Sequence, residues 1–257
     1  WPVELADGAR RWIEEAVISG RLFDAHLDLD LNAEALVAKR LEDERMTLGF
    51  AFENAAFRYI STMTPVTRGS GRATLFGNSF ELTMDEGFIG ETPVRNGHVS
   101  IPRLNPRGAI ATFGGEATAR AQAVLSLIDE PPLNLVSDYG LDPEMITGQG
   151  NVTFEIRRPM LEDVAVEDIG FDIRADFTDV AMNTGLRDLV LSNGDIQLTA
   201  TPQAVEVSGD AELAGANTRI RWVETLGLPE GAASTALDLE ARLDTAALDR
   251  LGIPLRR

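Results

Sequence analysis

A two-residue alternation of apolar and polar side chains is the feature that most limits what this 257-residue chain can fold into. In residues 169–177 every odd position is apolar, and the even positions carry glycine, aspartate or arginine. The same alternation returns in 196–200, 205–213 and 237–243. Because successive side chains of a β-strand point to opposite faces of the sheet, each segment predicts a strand with one apolar face. The chain is therefore predicted to be mainly β, with a continuous apolar face.

Composition excludes several classes of function. The chain has no cysteine, which rules out disulfides, thiolate catalysis and cysteine-ligated metals. A net charge of −18 argues against nucleic acid as a partner and against adsorption to anionic lipid headgroups. No apolar stretch approaches the roughly 20 residues that span a bilayer.

Local patterns place other elements along the chain. Leu5, Ala9 and Trp12 share one helical face, and Gly20 is predicted to end that helix. A bulge is predicted near Asn54–Ala55, after an apolar strand that starts at Met46. The pairs Gly77–Asn78 and Asn96–Gly97 have the chemistry of tight turns, and the short spacing between turn signals favours an antiparallel meander.

In the middle of the chain the spacing of apolar residues changes from the two-residue period of a strand to that of a helix. Ala121, Val124, Leu125 and Ile128 follow the spacing of an amphipathic helix. We predict three parts: residues 1–113, an N-terminal helix with a first β-unit; residues 114–148, a helical insert; and residues 149–257, a second β-unit.

No constellation of catalytic or metal-binding residues is apparent. His26 and His98 lack partners at a spacing that suits metal binding or acid–base catalysis. Acid-rich segments such as Glu42–Glu44 do not match a calcium-binding loop, and they are interpreted as solvated loops. We predict no enzyme activity, no metal and no cofactor.

The apolar faces themselves allow two interpretations. They bury each other in a closed β-sandwich, or they line an open, curved sheet whose inner face is a groove for acyl chains. Alternation alone does not choose between them.

Short motifs in a particular order carry a resemblance to a known family. These motifs are Trp1–Pro2, Ala9–Ile13, Gly20–Leu22, Pro131–Leu133, Gly140–Pro143, Gly148, Arg158–Leu161, Val164–Ile169, Arg221–Glu224, Leu243–Leu248 and Leu251–Ile253. Their order and spacing resemble a segment of large AsmA-like envelope proteins of the YhdP type. The resemblance extends over essentially the whole chain.

The resemblance implies an elongated, curved antiparallel sheet that forms a U-shaped, taco-like apolar groove. It implies a segment of a larger, periplasm-spanning protein, anchored to the inner membrane by a helix outside this segment. The implied cargo is phospholipid, whose acyl chains move along the groove between inner and outer membranes. No partner protein in the envelope follows from it.

The in-register apolar positions are the candidate groove residues. They are Leu27, Leu29, Phe50, Phe52, Leu82, Phe154, Ile156, Phe171, Ile173, Ile196, Leu198, Val205, Val207, Ile220 and Trp222. The alternative from a different class is a closed β-sandwich that acts as a structural or interaction scaffold of the cell envelope. A hydrolase of envelope glycans is a more distant third hypothesis.

Overall fold

The fold is known from a computed structural model. It describes residues 14–30, 45–60, 62–131, 136–137, 142–161, 164–183, 190–213, 215–229, 233–243 and 247–248. Most of the predicted N-terminal helix, residues 1–13, lies outside the described residues.

Twelve antiparallel strands form one open sheet, in which each strand pairs with its neighbours in sequence. The strands are β1 (Val17–Leu29), β2 (Met46–Phe57), β3 (Val66–Phe76), β4 (Ser79–Ile89), β5 (Thr92–Ile101), β6 (Ile110–Arg120), β7 (Ile146–Pro159), β8 (Gly170–Asn183), β9 (Val190–Ala200), β10 (Ala204–Leu213), β11 (Ala216–Thr225) and β12 (Thr235–Ala241). The prediction of a mainly β, antiparallel and open fold with short helices is confirmed. The described strands are hydrogen-bonded in one sheet rather than in two separate sheets.

The chain divides into two compact units. Unit 1 comprises Trp1–Ala117 and Glu155–Gly170, and unit 2 comprises Thr118–Phe154 and Phe171–Arg257. Strand β7 therefore supplies residues to both units. The three-part division predicted from sequence stays a prediction.

Bulges interrupt the strands at residues with positive φ. The predicted bulge near Asn54–Ala55 is present: the β1 and β3 registers shift there, and Asn54 has a φ of 48°. Similar residues occur at Asp24 in β1, Arg68 in β3 and Asp179 in β8, each beside a register shift. Because a bulge bends its strand and increases the local twist, these positions curve the sheet within each unit.

Two predictions about glycine-containing segments are wrong. Gly20 does not end a helix, since the helical residues stop at Ala16 and Gly20 lies inside β1 with a φ of 151°. A Cβ there would lie 3.0 Å from the Cα of Ala55, so glycine permits the close approach of β2. Asn96–Gly97 is not a turn but an irregular position inside β5, where the register with β6 shifts.

The other predicted turn is confirmed. Gly77 and Asn78 connect β3 to β4 in a two-residue hairpin, with Phe76 opposite Ser79. Gly77 has a φ of 52°, which explains why the turn needs a residue without a Cβ.

The predicted amphipathic helix is confirmed as α1 (Ala121–Ile128), with Ala121, Val124 and Ile128 buried. It is shorter than the predicted insert, because β6 continues to Arg120 and β7 begins at Ile146. The sequence pattern was misleading at 114–120, where alternation is masked by Gly114 and Gly115.

The side chain of Asp129, the residue after α1, accepts hydrogen bonds from Val136 and Ser137, and we call this arrangement the Asp129 cap. Its Oδ1 accepts hydrogen bonds from the backbone N–H of Ser137 at 2.7 Å, from the Ser137 hydroxyl at 2.9 Å and from the backbone N–H of Val136 at 3.1 Å. The backbone bond from Ser137 is the largest cause that lowers the pKa of Asp129 below its ordinary value of 3.8, and burial opposes it.

This cap predicts a pH dependence of the segment after α1. A carboxyl whose pKa is lower in the folded state stabilises that state fully above its unfolded pKa, and the contribution is lost as the pH falls through the folded pKa. We expect the Val136 and Ser137 amides to exchange hydrogen several-fold faster in Asp129→Asn than in the wild type at pH 6. The two proteins should converge in exchange as acid protonates Asp129. An Asp129→Asn variant with wild-type exchange at pH 6 would show that the charge has no part in the cap.

Candidate functional site

The strands of unit 1 align apolar side chains in rows across the sheet. Residues directly opposite each other on paired strands share a face, so the register defines each row. The rows of what we call the unit 1 face are Leu27–Leu48–Leu75–Phe80–Ile101, Phe50–Ala73–Leu82–Val99–Phe113 and Leu22–Phe52–Gly71–Met84–Gly97. The face is apolar over every strand from β1 to β6.

Burial along the unit 1 face increases away from the edge strand. In the first row Leu27 on β1 is 51% exposed, whereas Leu75 is 2% exposed and Ile101 is fully buried. Leu22, also on β1, is 61% exposed. The part of the face on the inner strands is covered, and the part on β1 is accessible.

Unit 2 repeats this arrangement on β8 to β12. The rows of the unit 2 face are Ala175–Leu198–Val207–Trp222–Leu237 (row A), Phe177–Ile196–Gly209–Ile220–Leu239 (row B) and Ile173–Ala200–Val205–Glu224–Thr235 (row C). Rows A and B contain no charged side chain. Row C carries one, Glu224.

The unit 2 face is also most exposed at its edge strand. Leu198 is 7% exposed and Ile196 is 9% exposed, but Leu237 and Leu239 on β12 are 57% and 52% exposed. Among the described strands β12 pairs with β11 only, so its apolar side chains have a described neighbouring strand on one side. These leucines are therefore accessible in the part of the chain that the structure describes.

The register brings most of the predicted groove residues together within a unit. Five lie on the unit 1 face or beside its rows: Leu27, Leu29, Phe50, Phe52 and Leu82. Eight share the unit 2 face: Phe171, Ile173, Ile196, Leu198, Val205, Val207, Ile220 and Trp222. Phe154 and Ile156 lie on β7, half-buried and buried respectively. Their role in lipid contact stays a prediction.

Sequence reasoning missed two polar residues on the unit 2 face. Thr218 is 2% exposed and Glu224 is 1% exposed. Both have the same parity along β11 as Ile220 and Trp222, so the two-residue period contained the signal. Residues such as Phe80, Met84 and Ile101 of the unit 1 face could have been found from the parity of Leu82 and its paired strands.

The opposite face of unit 2 is polar and charged. Arg221 contacts Glu206 at 2.9 Å and Asp238 at 3.9 Å, and Arg219 contacts Asp210 at 3.4 Å and Glu240 at 3.9 Å. These side chains are exposed, so each pair adds little stability. Their effect is to hold the arginines of β11 on the water-facing side.

The acidic residues and histidines of the described ranges form no cluster of the kind that holds a metal. No group of three or more histidine, aspartate or glutamate side chains there is arranged to hold a metal. His26 and His98 are both exposed, and His26 Nδ1 lies 3.2 Å from the carbonyl oxygen of Asp24. Among the helices described, none is long and apolar enough to cross a membrane.

Comparison with models of protein families shows which family the chain belongs to. A family model described as YhdP protein matches residues 1–256. The chain belongs to the YhdP family. The resemblance drawn from the sequence motifs is thereby confirmed, and YhdP membership associates the chain with envelope proteins related to lipid transport. Neither the curated proteins nor the solved structures compared with this YhdP chain give a match.

Proposed function

We propose that the chain carries phospholipid acyl chains on its apolar faces as part of a bridge between the inner and outer membranes. The observation that carries the proposal is the apolar rows, which cross consecutive strands and end in exposed leucines at β1 and β12. Family membership supports a lipid-related role in the envelope. The proposal includes a periplasmic location, an inner-membrane anchor outside this chain, and no catalytic step.

The chemistry of the faces supports acyl chains as the cargo. Each methylene group moved from water to an apolar surface contributes about 0.8 kcal/mol. Rows A and B offer leucine, isoleucine, valine, phenylalanine and tryptophan side chains without a charge among them. An acyl chain that buries about ten of its own methylenes there gains several kcal/mol, and the headgroup lies outside rows A and B. Recognition of this kind needs no specific polar contact along the chain.

Photo-crosslinking tests the proposal. A photoreactive residue at Leu239 faces the apolar side of β12, and one at Glu240 on the same strand faces the charged side. Both positions are exposed, so the substitutions leave the fold intact. In cells with labelled phospholipid, we expect lipid adducts at position 239 and few at position 240. Equal labelling at the two positions would contradict lipid contact with the apolar side.

A second candidate function is a structural scaffold of the cell envelope, and one observation favours it. The inner part of the unit 1 face is already covered, with Leu75, Phe80 and Ile101 at 3% exposure or less. A face covered by protein does not need lipid. The scaffold hypothesis predicts that the exposed leucines of β12 bind no lipid, and the same crosslinking experiment distinguishes it.

A further inference from the structure

Glu224 is a charged side chain on the apolar side of β11, near the end of the strand. It follows Ile220 and Trp222 on the same side of β11, with Val205 opposite on β10 and Thr235 opposite on β12. It is 1% exposed. A carboxylate removed from water to this extent requires hydrogen-bond donors around it.

The described residues satisfy only one of its two oxygens. The Thr235 hydroxyl donates to Oε2, and Oε1 has no hydrogen-bond partner. The arginines of β11, Arg219 and Arg221, lie on the opposite side of the strand and contact acidic residues there. The unsatisfied Oε1 therefore points to a donor that comes from outside the described residues.

The position of Glu224 along β11 indicates what kind of group donates a hydrogen bond to Oε1. Glu224 is one residue before the end of β11, and its row C includes Ala200, the last residue of β9, and Thr235, the first of β12. Row C thus lies at the ends of the strands, and the uncharged rows A and B lie further inside. A lipid with its acyl chains on rows A and B places its headgroup near row C.

We propose that Glu224 Oε1 accepts a hydrogen bond from the primary ammonium of a phospholipid headgroup of the ethanolamine type. The proposal rests on the lipid-carrying function proposed above. A primary ammonium brings three N–H donors and a positive charge, and a charge-assisted bond to a carboxylate is among the strongest that a buried oxygen can form. A choline headgroup has the same charge but no N–H donor. Because Glu224 is buried, neighbouring side chains move apart when the headgroup enters.

The test measures headgroup preference. The purified chain is incubated with vesicles that contain equal amounts of phosphatidylethanolamine and phosphatidylcholine, re-isolated, and its lipids are quantified by mass spectrometry. We expect the wild type to retain the ethanolamine lipid over the choline lipid by a factor on the order of tenfold. Glu224→Gln should bring the ratio to within about twofold of the vesicles, since the charge assistance is lost.

Matched variants and probes separate the outcomes. Glu206→Gln, on the charged side of neighbouring β10, should keep the wild-type ratio. Ethanolamine lipid with an N-acetylated amine should lose its advantage on the wild-type protein, a comparison that needs no variant. Excess free phosphoethanolamine should not reduce the preference; if it does, the site takes the soluble amine rather than the lipid.

The results also distinguish this proposal from the function on which it rests. Lipid recovered from the wild type at the vesicle ratio overturns the role of Glu224 and leaves the lipid-carrying function standing. A preference for the ethanolamine lipid that survives in Glu224→Gln also overturns the role of Glu224. A wild-type chain that retains no lipid overturns both.

Discussion

Leu198→Asp is expected to lower the free energy of unfolding by about 4 kcal/mol or more. Leu198 is 7% exposed in the middle of row A, between Ala175 on β8 and Val207 on β10. The substitution removes a buried apolar side chain and places a carboxylate among apolar neighbours with no donor from the row. Urea unfolding followed by tryptophan fluorescence measures the loss.

Thr199→Asp is the matched control for this substitution. Thr199 is the next residue of β9, is exposed on the charged side, and lies opposite Arg174 and Glu206. It should change stability by no more than about 0.5 kcal/mol. Equal stability of the two variants would mean that water reaches the unit 2 face at β9, so that this face lacks a core there.

Leu239→Asp is expected to reduce phospholipid binding by about tenfold or more while leaving the fold intact. Leu239 is 52% exposed on edge strand β12, at the end of row B. Its side chain contributes little to the core, and under the proposed function it contacts the acyl chain. A charge there makes that contact unfavourable. Lipid retained after incubation with phospholipid vesicles gives the binding, and urea unfolding gives the stability.

The control for Leu239→Asp adds the same charge to the other side of the same strand. Ala236 is exposed and lies opposite Val223, on the face that also carries Asp238. Ala236→Asp should bind as much lipid as the wild type. If both variants lose lipid equally, net charge rather than the apolar row explains the loss; if neither does, β12 is not part of the lipid path.

The two-residue period predicted several strands and part of each face. Residues 170–177 and 196–200 fall in β8 and β9, with the predicted residues on one side. The signal is reliable because the side-chain alternation is a property of the extended backbone itself. Parity therefore predicts which residues of a strand share a face, but it does not predict which residues pair across two strands.

Bulges and turns were harder to distinguish, because both use the same local conformation. Asn54 and Asn96 each have a φ near 50° inside a strand, and Gly77 has a similar φ in a hairpin. An asparagine–glycine pair therefore predicts positive φ but not whether the chain reverses. The neighbouring strand decides this, and a single local segment does not contain it.

Burial also depended on position in the sheet rather than on sequence. Leu198 and Leu239 both occupy apolar positions of alternating segments, yet one is 7% and the other 52% exposed. Among the strands that the structure describes, β9 has a neighbour on each side and β12 has one, so the difference follows strand position. Glu224 shows the converse, since it is a charged side chain whose parity places it on the apolar face, where it is buried.

The strand order has a consequence for how the chain folds. Since every strand pairs with the strands next to it in sequence, the sheet can assemble by adding one hairpin at a time to a growing end. Apart from the longer connections from β1 to β2 and from β6 to β7, such growth closes short loops, which keeps contact order low and favours rapid folding for a β protein of this size. Unfolding should proceed in the reverse sense, with β1 and β12 fraying before the strands between them.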